Sequence, residues 1–312
     1  MKYVDKKEIE EALDFNELVT ELKDAFRADF TVPMRHHHDY ANPTEGADST
    51  LLLMPAWEAG QDLGVKLVTV SPNNGKYDLP AIQGIYILFD AHKGTPNALL
   101  EAKTLTVKRT AAASALASSF LSRKDSTSLL MLGTGALSPE LIQAHCAVRN
   151  LETVYIWGRS PEKAQAVKDQ LSINAEIKVI EDYIDVISEV DIISSATLSP
   201  KPLVFGNLIK EGQHVDLVGA YKKDMREADD ALVNKASIFV DTMAGIRESG
   251  DIKIPLDNEL ITEEDLQADL FKLCRDGHEG RTSEKEITMF KSVGHALEDL
   301  AAARLVKRKL GL

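Results

Sequence analysis

A stretch near the middle of the chain has the residue types that bind a pyrophosphate. Residues 129–132 form an apolar run with the length of a buried parallel strand. Two glycines then predict a tight turn, and Pro139 opens a predicted helix. This order places backbone N–H groups at a helix N-terminus, where they bind phosphate. Ser138 replaces the last small residue of the G-x-G-x-x-G/A pattern. The expected dinucleotide-binding residues are Gly133, Thr134, Gly135, Ala136 and Leu137.

The next predicted strand ends in Gly158, Arg159 and Ser160. NAD-dependent enzymes usually have an acidic residue about 20 residues after the glycine turn, and it binds the ribose hydroxyls. No acid stands here, whereas an arginine and a serine suit a 2′-phosphate. The alternative is a helix-capping serine beside a surface arginine. We favour NADPH as the cofactor, with NADH as the other candidate.

Two later predicted strands, at residues 191–197 and 214–219, belong to the same sheet. Ligands of open α/β sheets bind at the carboxyl ends of the strands. Residues at these ends are therefore candidate neighbours of a cofactor or substrate, although each alone could be an ordinary loop residue. They are Ala196, Thr197, Gly219 and Ala220.

Two cations in the first third of the chain could bind an anionic substrate. Lys66 lies inside an otherwise apolar strand, where a lone buried charge is costly. It therefore pairs with a carboxylate, faces a site, or extends its amine to water from an edge. Arg109 is expected in the first turn of an alanine-rich helix, where the free N–H groups and the guanidinium favour a carboxylate.

Arg35 precedes three histidines and Asp39, a composition that suggests a metal site. In a strand only His36 and His38 share a face, and two ligands do not complete a zinc site. We therefore predict that the protein binds no metal.

The elements that position these residues fall into two groups. Residues 5–30 predict one or two amphipathic helices, and residues 31–102 predict an antiparallel meander of strands. A helix is predicted at 106–123, with Thr104 or Thr106 as its N-cap. Strands and helices then alternate, including a helix at 183–190 and a last helix at 286–310. This alternation indicates an α/β fold with a doubly wound parallel sheet.

Composition excludes several classes of function. The net charge of −13 argues against a nucleic-acid-binding surface. No apolar run is long enough to span a membrane, and the first residues lack the apolar core of a signal peptide. Two cysteines in 312 residues are typical of a reducing compartment, so we expect a cytoplasmic protein.

With these residues identified, nearly the whole chain resembles the ornithine cyclodeaminase/μ-crystallin family. The Lys-Arg-Thr-Ala-Ala run beside a dinucleotide fold is fairly specific for it. The supporting stretches are residues 32–35, 53–56, 64–68, 106–112, 133–135, 156–159, 247–251 and 290–294. The resemblance implies a Rossmann domain at 124–297 and an α+β substrate-binding and dimerisation domain at 1–123, built on an antiparallel sheet and joined by 298–312.

The resemblance also implies roles for individual residues. Arg35 and Arg109 would bind the substrate carboxylate, and Lys66 would contact the same group or the substituents of the reacting carbon. Gln83 would lie near the substrate. Ser292 and Val293 would flank the nicotinamide. The implied assembly is a homodimer joined through the first domain.

One position departs from the cyclodeaminase pattern. Ornithine cyclodeaminases have a catalytic aspartate where this chain has Tyr221, and a phenol is a poor base at neutral pH. The resemblance therefore favours the family's ketimine reductases. We predict NAD(P)H-dependent reduction of a small cyclic imino acid, Δ1-pyrroline-2-carboxylate, to L-proline, with Lys66 and Arg109 catalytic and Tyr221 near the substrate. The alternatives are ornithine cyclodeaminase, alanine dehydrogenase and a non-catalytic NADPH-binding protein.

Overall fold

The computed structural model describes residues 1–312, which form two compact units. Unit 1 consists of Met1–Arg109 and His295–Leu312, and unit 2 of Thr110–Gly294. The division falls inside the alanine-rich helix, whereas the sequence places it after residue 123. The first turns of this helix belong to unit 1 because Arg109 forms ion pairs with the C-terminal helix there.

Unit 1 contains the predicted antiparallel meander. Strands β2 to β6 pair antiparallel in chain order, and β1 joins β6 in parallel at the far edge. Both expected N-terminal helices form, and aspartates cap their first turns. The elements are β1 (Lys2–Val4), α1 (Lys6–Ala12), α2 (Phe15–Arg27), β2 (His36–Tyr40), β3 (Ser49–Trp57), β4 (Asp62–Val70), β5 (Ile82–Asp90) and β6 (Thr95–Glu101).

The two faces of this sheet differ in burial, as the period-two alternation of strands requires. One face is buried and carries Met54, Ala56, Gly64, Lys66, Tyr86 and Leu88. The opposite face is only half-buried and is apolar. We call it the open face and define it by Leu53, Pro55, Val65, Leu67, Ile85 and Ile87.

Helix α3 (Ala102–Leu121) follows β6 directly and begins earlier than the sequence predicts. The carboxylate of Glu101 accepts hydrogen bonds from the backbone N–H groups of Lys103 and Thr104, at 3.1 and 2.7 Å. The expected threonine N-cap is therefore wrong, because an acid just before the helix satisfies those donors. Arg109 consequently lies two turns into the helix, beyond the reach of its N-terminal N–H groups.

Unit 2 is an eight-stranded sheet in which every strand pair is parallel, as the alternation of elements predicts. The strand order is β13-β12-β14-β11-β10-β7-β8-β9, so the direction of winding changes between β7 and β10. Its elements are β7 (Ser128–Leu132), α4 (Ser138–Val148), β8 (Thr153–Trp157), α5 (Pro161–Asp169), β9 (Glu176–Val179), β10 (Ile192–Ser195), β11 (His214–Leu217), α6 (Asp230–Lys235), β12 (Ser237–Val240), α7 (Gly250–Asp257), β13 (Leu266–Asp269), α8 (Leu270–Cys274) and β14 (Thr288–Lys291).

Two predicted helices are corrected. Residues 183–190 form turns, anchored by the Tyr183 hydroxyl, which donates to the carbonyl of Leu203 at 2.8 Å. The predicted last helix is divided: β14 occupies its first part, because these four residues are buried and pair with strands on both sides. Helix α9 (Ala296–Leu310) is the remainder, and it packs on the sheet and helices of unit 1, as expected. No helix in the protein combines the length and apolar character needed to cross a membrane.

Candidate active-site residues

The glycine turn after β7 has the geometry that a dinucleotide requires. Gly133 has a φ of +117°, and a Cβ there would lie 2.6 Å from the carbonyl oxygen of Ala196. The Ser138 hydroxyl donates to the Gly133 carbonyl at 2.9 Å, so the serine ties α4 to the turn. A Cβ at Gly135 would meet no atom within 4 Å, and this open space lies at the N-terminus of α4. The residues present therefore fit a bound pyrophosphate.

The end of β8 lies beside this turn. A Cβ at Gly158 would approach the methyl group of Thr134 to 2.5 Å, so the glycine allows the two segments to pack. Arg159 is exposed. Ser160 is the N-cap of α5, where its hydroxyl accepts from the Lys163 N–H at 3.3 Å and donates to Glu162 at 2.6 Å. The helix-capping role considered for this serine is thus present, and the guanidinium beside it faces solvent.

The loops that follow β10 and β11 meet at one buried carboxylate, that of Glu227. One of its oxygens accepts from the Thr197 backbone N–H and hydroxyl, each at 2.8 Å, and from the Ser195 hydroxyl at 2.6 Å. The other accepts from the N–H groups of Gly219 and Ala220, at 2.7 and 3.2 Å. Burial raises the pKa of Glu227, and the nearby charge of Lys291 opposes that shift.

A second carboxylate fixes the loop after β14. Asp241, which follows β12, accepts from the N–H groups of Val293 and Gly294 at 2.7 and 2.6 Å. It also accepts from the Ser292 hydroxyl at 3.2 Å. The candidate cofactor residues at the carboxyl ends of β10, β11 and β14 are therefore held in place by buried acids.

The candidate substrate cations of unit 1 form a buried cluster with two acids of α9. Lys66 Nζ lies 2.9 and 2.7 Å from the two carboxylate oxygens of Asp299. Arg109 Nε donates to the first of these oxygens at 2.9 Å, and its Nη1 donates to Glu298 at 2.5 Å. We call these four residues the charge cluster. Its formal charges cancel, and Arg109 Nη2 is the nitrogen that these two pairs do not use.

Charge and burial shift the pKa values in the charge cluster. Burial lowers the pKa of Lys66 to about 8, and Arg109 and Arg35 act in the same direction against the attraction of Asp299. Burial alone would raise the pKa of Asp299, but the two cations outweigh it and the pKa is lowered. Asp299 is thus an ionised carboxylate at neutral pH, while Lys66 releases its proton far more readily than an ordinary lysine.

The charge of Arg35 lowers the pKa of Lys66, whereas the structure separates Gln83 from the charge cluster. Gln83 pairs with Thr69 and lies on the same side of the sheet as the open face, opposite Lys66. Tyr221 follows β11 in unit 2 and is 39% exposed. His36 and His38 lie side by side on exposed β2, with their ring centroids 6.1 Å apart.

Sequence reasoning did not identify Glu298, Asp299, Glu227 or Asp241. The sequence does contain a signal for Glu298 and Asp299. Residues 296–306 are apolar on nearly every side of the helix, which predicts a buried helix, and a buried acid must be paired. No comparable signal marks Glu227 and Asp241, which lie in loops that contain many polar residues.

Comparison with known proteins identifies the family. The sequence model of the ornithine cyclodeaminase/mu-crystallin family matches residues 2–311. The chain belongs to this family. The resemblance found in the sequence is confirmed, and so is its fold class.

Several known proteins match the chain over almost their full length. The Δ1-pyrroline-2-carboxylate reductase of Colwellia psychrerythraea is 36% identical over 99% of both chains. The structure of the Thermococcus litoralis Δ1-pyrroline-2-carboxylate reductase with NADH and L-proline superimposes with a TM-score of 0.92, at 33% identity over 99% of this chain and 97% of that one. A dimeric archaeal alanine dehydrogenase with bound NAD has a TM-score of 0.89, at 26% identity over 99% and 95%.

Proposed function

We propose that this protein is an oxidoreductase that reduces a cyclic ketimine with NAD(P)H, and that its substrate is Δ1-pyrroline-2-carboxylate, giving L-proline. The observation that carries the proposal is the charge cluster, in which two buried cations are held on acids of α9. Relatives named for this reaction, one of them bound to NADH and L-proline, support the choice among the family's activities.

The substrate carboxylate binds to Arg109 and Arg35 in this proposal. Asp299 and Glu298 hold Arg109 by Nε and Nη1, so its guanidinium has a fixed plane before substrate arrives. Asp299 and Glu298 offset the charges of Lys66 and Arg109, and Arg35 is the second cation that we propose to contact the carboxylate. Fixing the carboxylate also orients the adjacent imine carbon.

We propose Lys66 as the group that protonates the imine nitrogen; a water or hydroxyl is the alternative. The charged groups that act on its amine are Asp299 from α9, Arg109 from α3 and Arg35 from the segment before β2. A lysine with a pKa of about 8 is protonated at pH 7 and close enough to neutrality to transfer that proton. A nicotinamide cofactor held by unit 2 would supply the hydride that the imine carbon accepts.

We infer a preference for NADPH over NADH from Arg159 and Ser160. The exposed guanidinium of Arg159 is available to a 2′-phosphate at the end of β8. The two solved relatives contain NADH and NAD, neither of which has a 2′-phosphate. The preference for NADPH is therefore tested by comparing the KM of this protein for NADPH with its KM for NADH.

We also infer a homodimer joined through the open face of unit 1. Six half-buried apolar side chains line adjacent strands there, and a patch of this kind is typical of a protein interface. The free thiols of Cys146 and Cys274 agree with a reducing compartment such as the cytoplasm.

The substrate is tested with purified protein. Mixtures with Δ1-pyrroline-2-carboxylate, with its six-membered homologue, and with pyruvate plus ammonia are followed by NADPH and NADH absorbance, and products are separated by chromatography. We expect cofactor oxidation and proline from the first mixture. A fourth mixture with ornithine and NAD⁺ should give no proline. Proline from ornithine at a rate comparable to the reduction would establish the cyclodeaminase, and cofactor binding with no turnover in any mixture would establish a binding protein.

A further inference from the structure

The candidate cofactor residues of unit 2 lie at the carboxyl ends of its strands, and the strand order divides them into two groups. The winding direction changes between β7 and β10, next to the glycine turn that fits the pyrophosphate. The ribose-binding position at Arg159 follows β8, on one side of that turn. The other half of a dinucleotide must therefore lie over the ends of β10 and β11 on the opposite side.

Glu227 is the group that shapes this second half. Its single carboxylate accepts five hydrogen bonds, from the segment at the end of β10 and from the segment after β11. Four of these donors belong to candidate cofactor residues: the N–H and the hydroxyl of Thr197, and the N–H groups of Gly219 and Ala220. The carboxylate itself is buried, so it touches the cofactor only through these residues.

The segments after β10 and β11 are in close contact with each other and with Glu227. A Cβ at Gly219 would lie 2.1 Å from the carbonyl oxygen of Thr197 and 2.7 Å from Glu227 Oε1. The backbone of Glu227 is fixed in turn, because Asp251 accepts from its N–H at 2.7 Å and forms an ion pair with Lys291 at 3.0 Å.

We propose that Glu227 is a positioning residue for the nicotinamide half of the cofactor. It joins the loops after β10 and β11 into one surface before the cofactor binds. The inference extends the proposed function and rests on its choice of a nicotinamide cofactor. It assigns Glu227 no part in the chemical step.

The test compares two ligands that differ in the nicotinamide. NADH contains both halves of the dinucleotide, whereas ADP-ribose lacks the nicotinamide ring. In Glu227→Gln, one acceptor oxygen is replaced by an NH₂ group that faces N–H donors, so the loops separate. Isothermal titration calorimetry should show NADH affinity reduced about tenfold or more, and ADP-ribose affinity within about twofold of wild type.

Asp191→Asn is the matched control. Asp191 also accepts from two backbone N–H groups and a hydroxyl, those of Thr127 and Ser128, at 2.8 to 3.0 Å. It does so at the amino ends of the strands, where β7 and β10 begin. This variant should lose stability while both ligands keep the same ratio of affinities.

Ser195→Ala provides a milder variant if Glu227→Gln does not fold. It removes one donor to Glu227, from a residue that is buried and is not a candidate cofactor contact. It should weaken NADH about threefold and leave ADP-ribose unchanged. Equal losses for the two ligands, or wild-type NADH affinity in the variants, would overturn the proposal. A wild-type protein that binds neither ligand would overturn the choice of cofactor as well.

Discussion

Arg159 is the residue on which the choice between NADPH and NADH depends. If its guanidinium binds the 2′-phosphate, Arg159→Ala removes a charged hydrogen bond worth about 1.5–3 kcal/mol. We therefore expect the KM for NADPH to rise about tenfold or more, with the KM for NADH nearly unchanged. Lys163→Ala, which removes a cation from the first turn of α5, is the control. Equal changes for both cofactors in Arg159→Ala would exclude the assignment.

Lys66 gives the reduction a predictable dependence on pH. Its pKa is lowered to about 8, so the amine is protonated below that pH and neutral above it. A proton donor must be protonated, and kcat/KM for the reduction, which reports the protein before substrate binds, should therefore fall as the pH rises through about 8. The measurement is a pH profile of kcat/KM, taken at substrate concentrations well below KM.

Lys66→Arg is the companion variant for that profile. An arginine keeps its charge throughout the accessible range, so the decline in kcat/KM near pH 8 should disappear even if the variant's activity is low. A wild-type profile that is flat between pH 7 and 9 would assign the proton to water or to a hydroxyl.

The sequence identified the cations of the site but not their partners. Lys66 stood out because a charged residue interrupts an apolar strand, and the three expected arrangements included a paired carboxylate. Asp299 is 233 residues away in the chain, and no local pattern connects the two. Arg109 was placed in a first helical turn, because the sequence does not show that Glu101 already caps that helix.

At the scale of elements, α3 ends at a side-chain cap. Arg149, just after α4, donates from Nη2 to the carbonyls of Ser118, Ser119 and Ser122, at 3.0 to 3.1 Å. These carbonyls lie at the end of α3, where intrahelical donors become scarce, although the Ser118 carbonyl also accepts from the N–H of Ser122 at 2.9 Å. A cation there also opposes the negative end of the helix dipole.

Arg149→Gln should therefore destabilise the protein by about 1–3 kcal/mol, since it removes the arginine donor from the partly buried carbonyls of Ser119 and Ser122. Urea unfolding measures the change, and kcat should stay near wild type. Arg308→Gln is the control, because that arginine pairs with Glu21 at the surface and its loss should cost less than about 1 kcal/mol. A loss of stability in Arg149→Gln no larger than in Arg308→Gln would contradict the capping role.

Elements with a clear period were predictable, and short ones were not. The meander and the parallel sheet follow from alternation and are present in the structure. Strand β14 has four residues beside a long helical pattern, and a run that short has no period of its own. Only its pairing with β11 and β12 makes it a strand.

At the scale of the whole molecule, the open face of unit 1 makes the assembly testable. Ile87→Asp places a charge in the middle of this apolar surface, so a dimer that buries it should dissociate. Thr95→Asp, at an exposed position of β6, is the control and should leave the mass unchanged. Light scattering after size exclusion measures both. A wild-type monomer, or an Ile87→Asp protein with the wild-type dimer mass, would place the interface elsewhere.

The two cysteines have a practical consequence for following cofactor binding in solution. Burial raises the pKa of Cys146 to about 11, so only about one molecule in 10⁴ carries its thiolate at pH 7, and Cys274 is fully buried. Maleimide reagents should therefore leave the native protein almost unlabelled without any cysteine being removed. Leu198 is 67% exposed and directly follows Thr197. A dye attached through Leu198→Cys would then be the single label on the chain, placed where it reports on the loop that Glu227 holds.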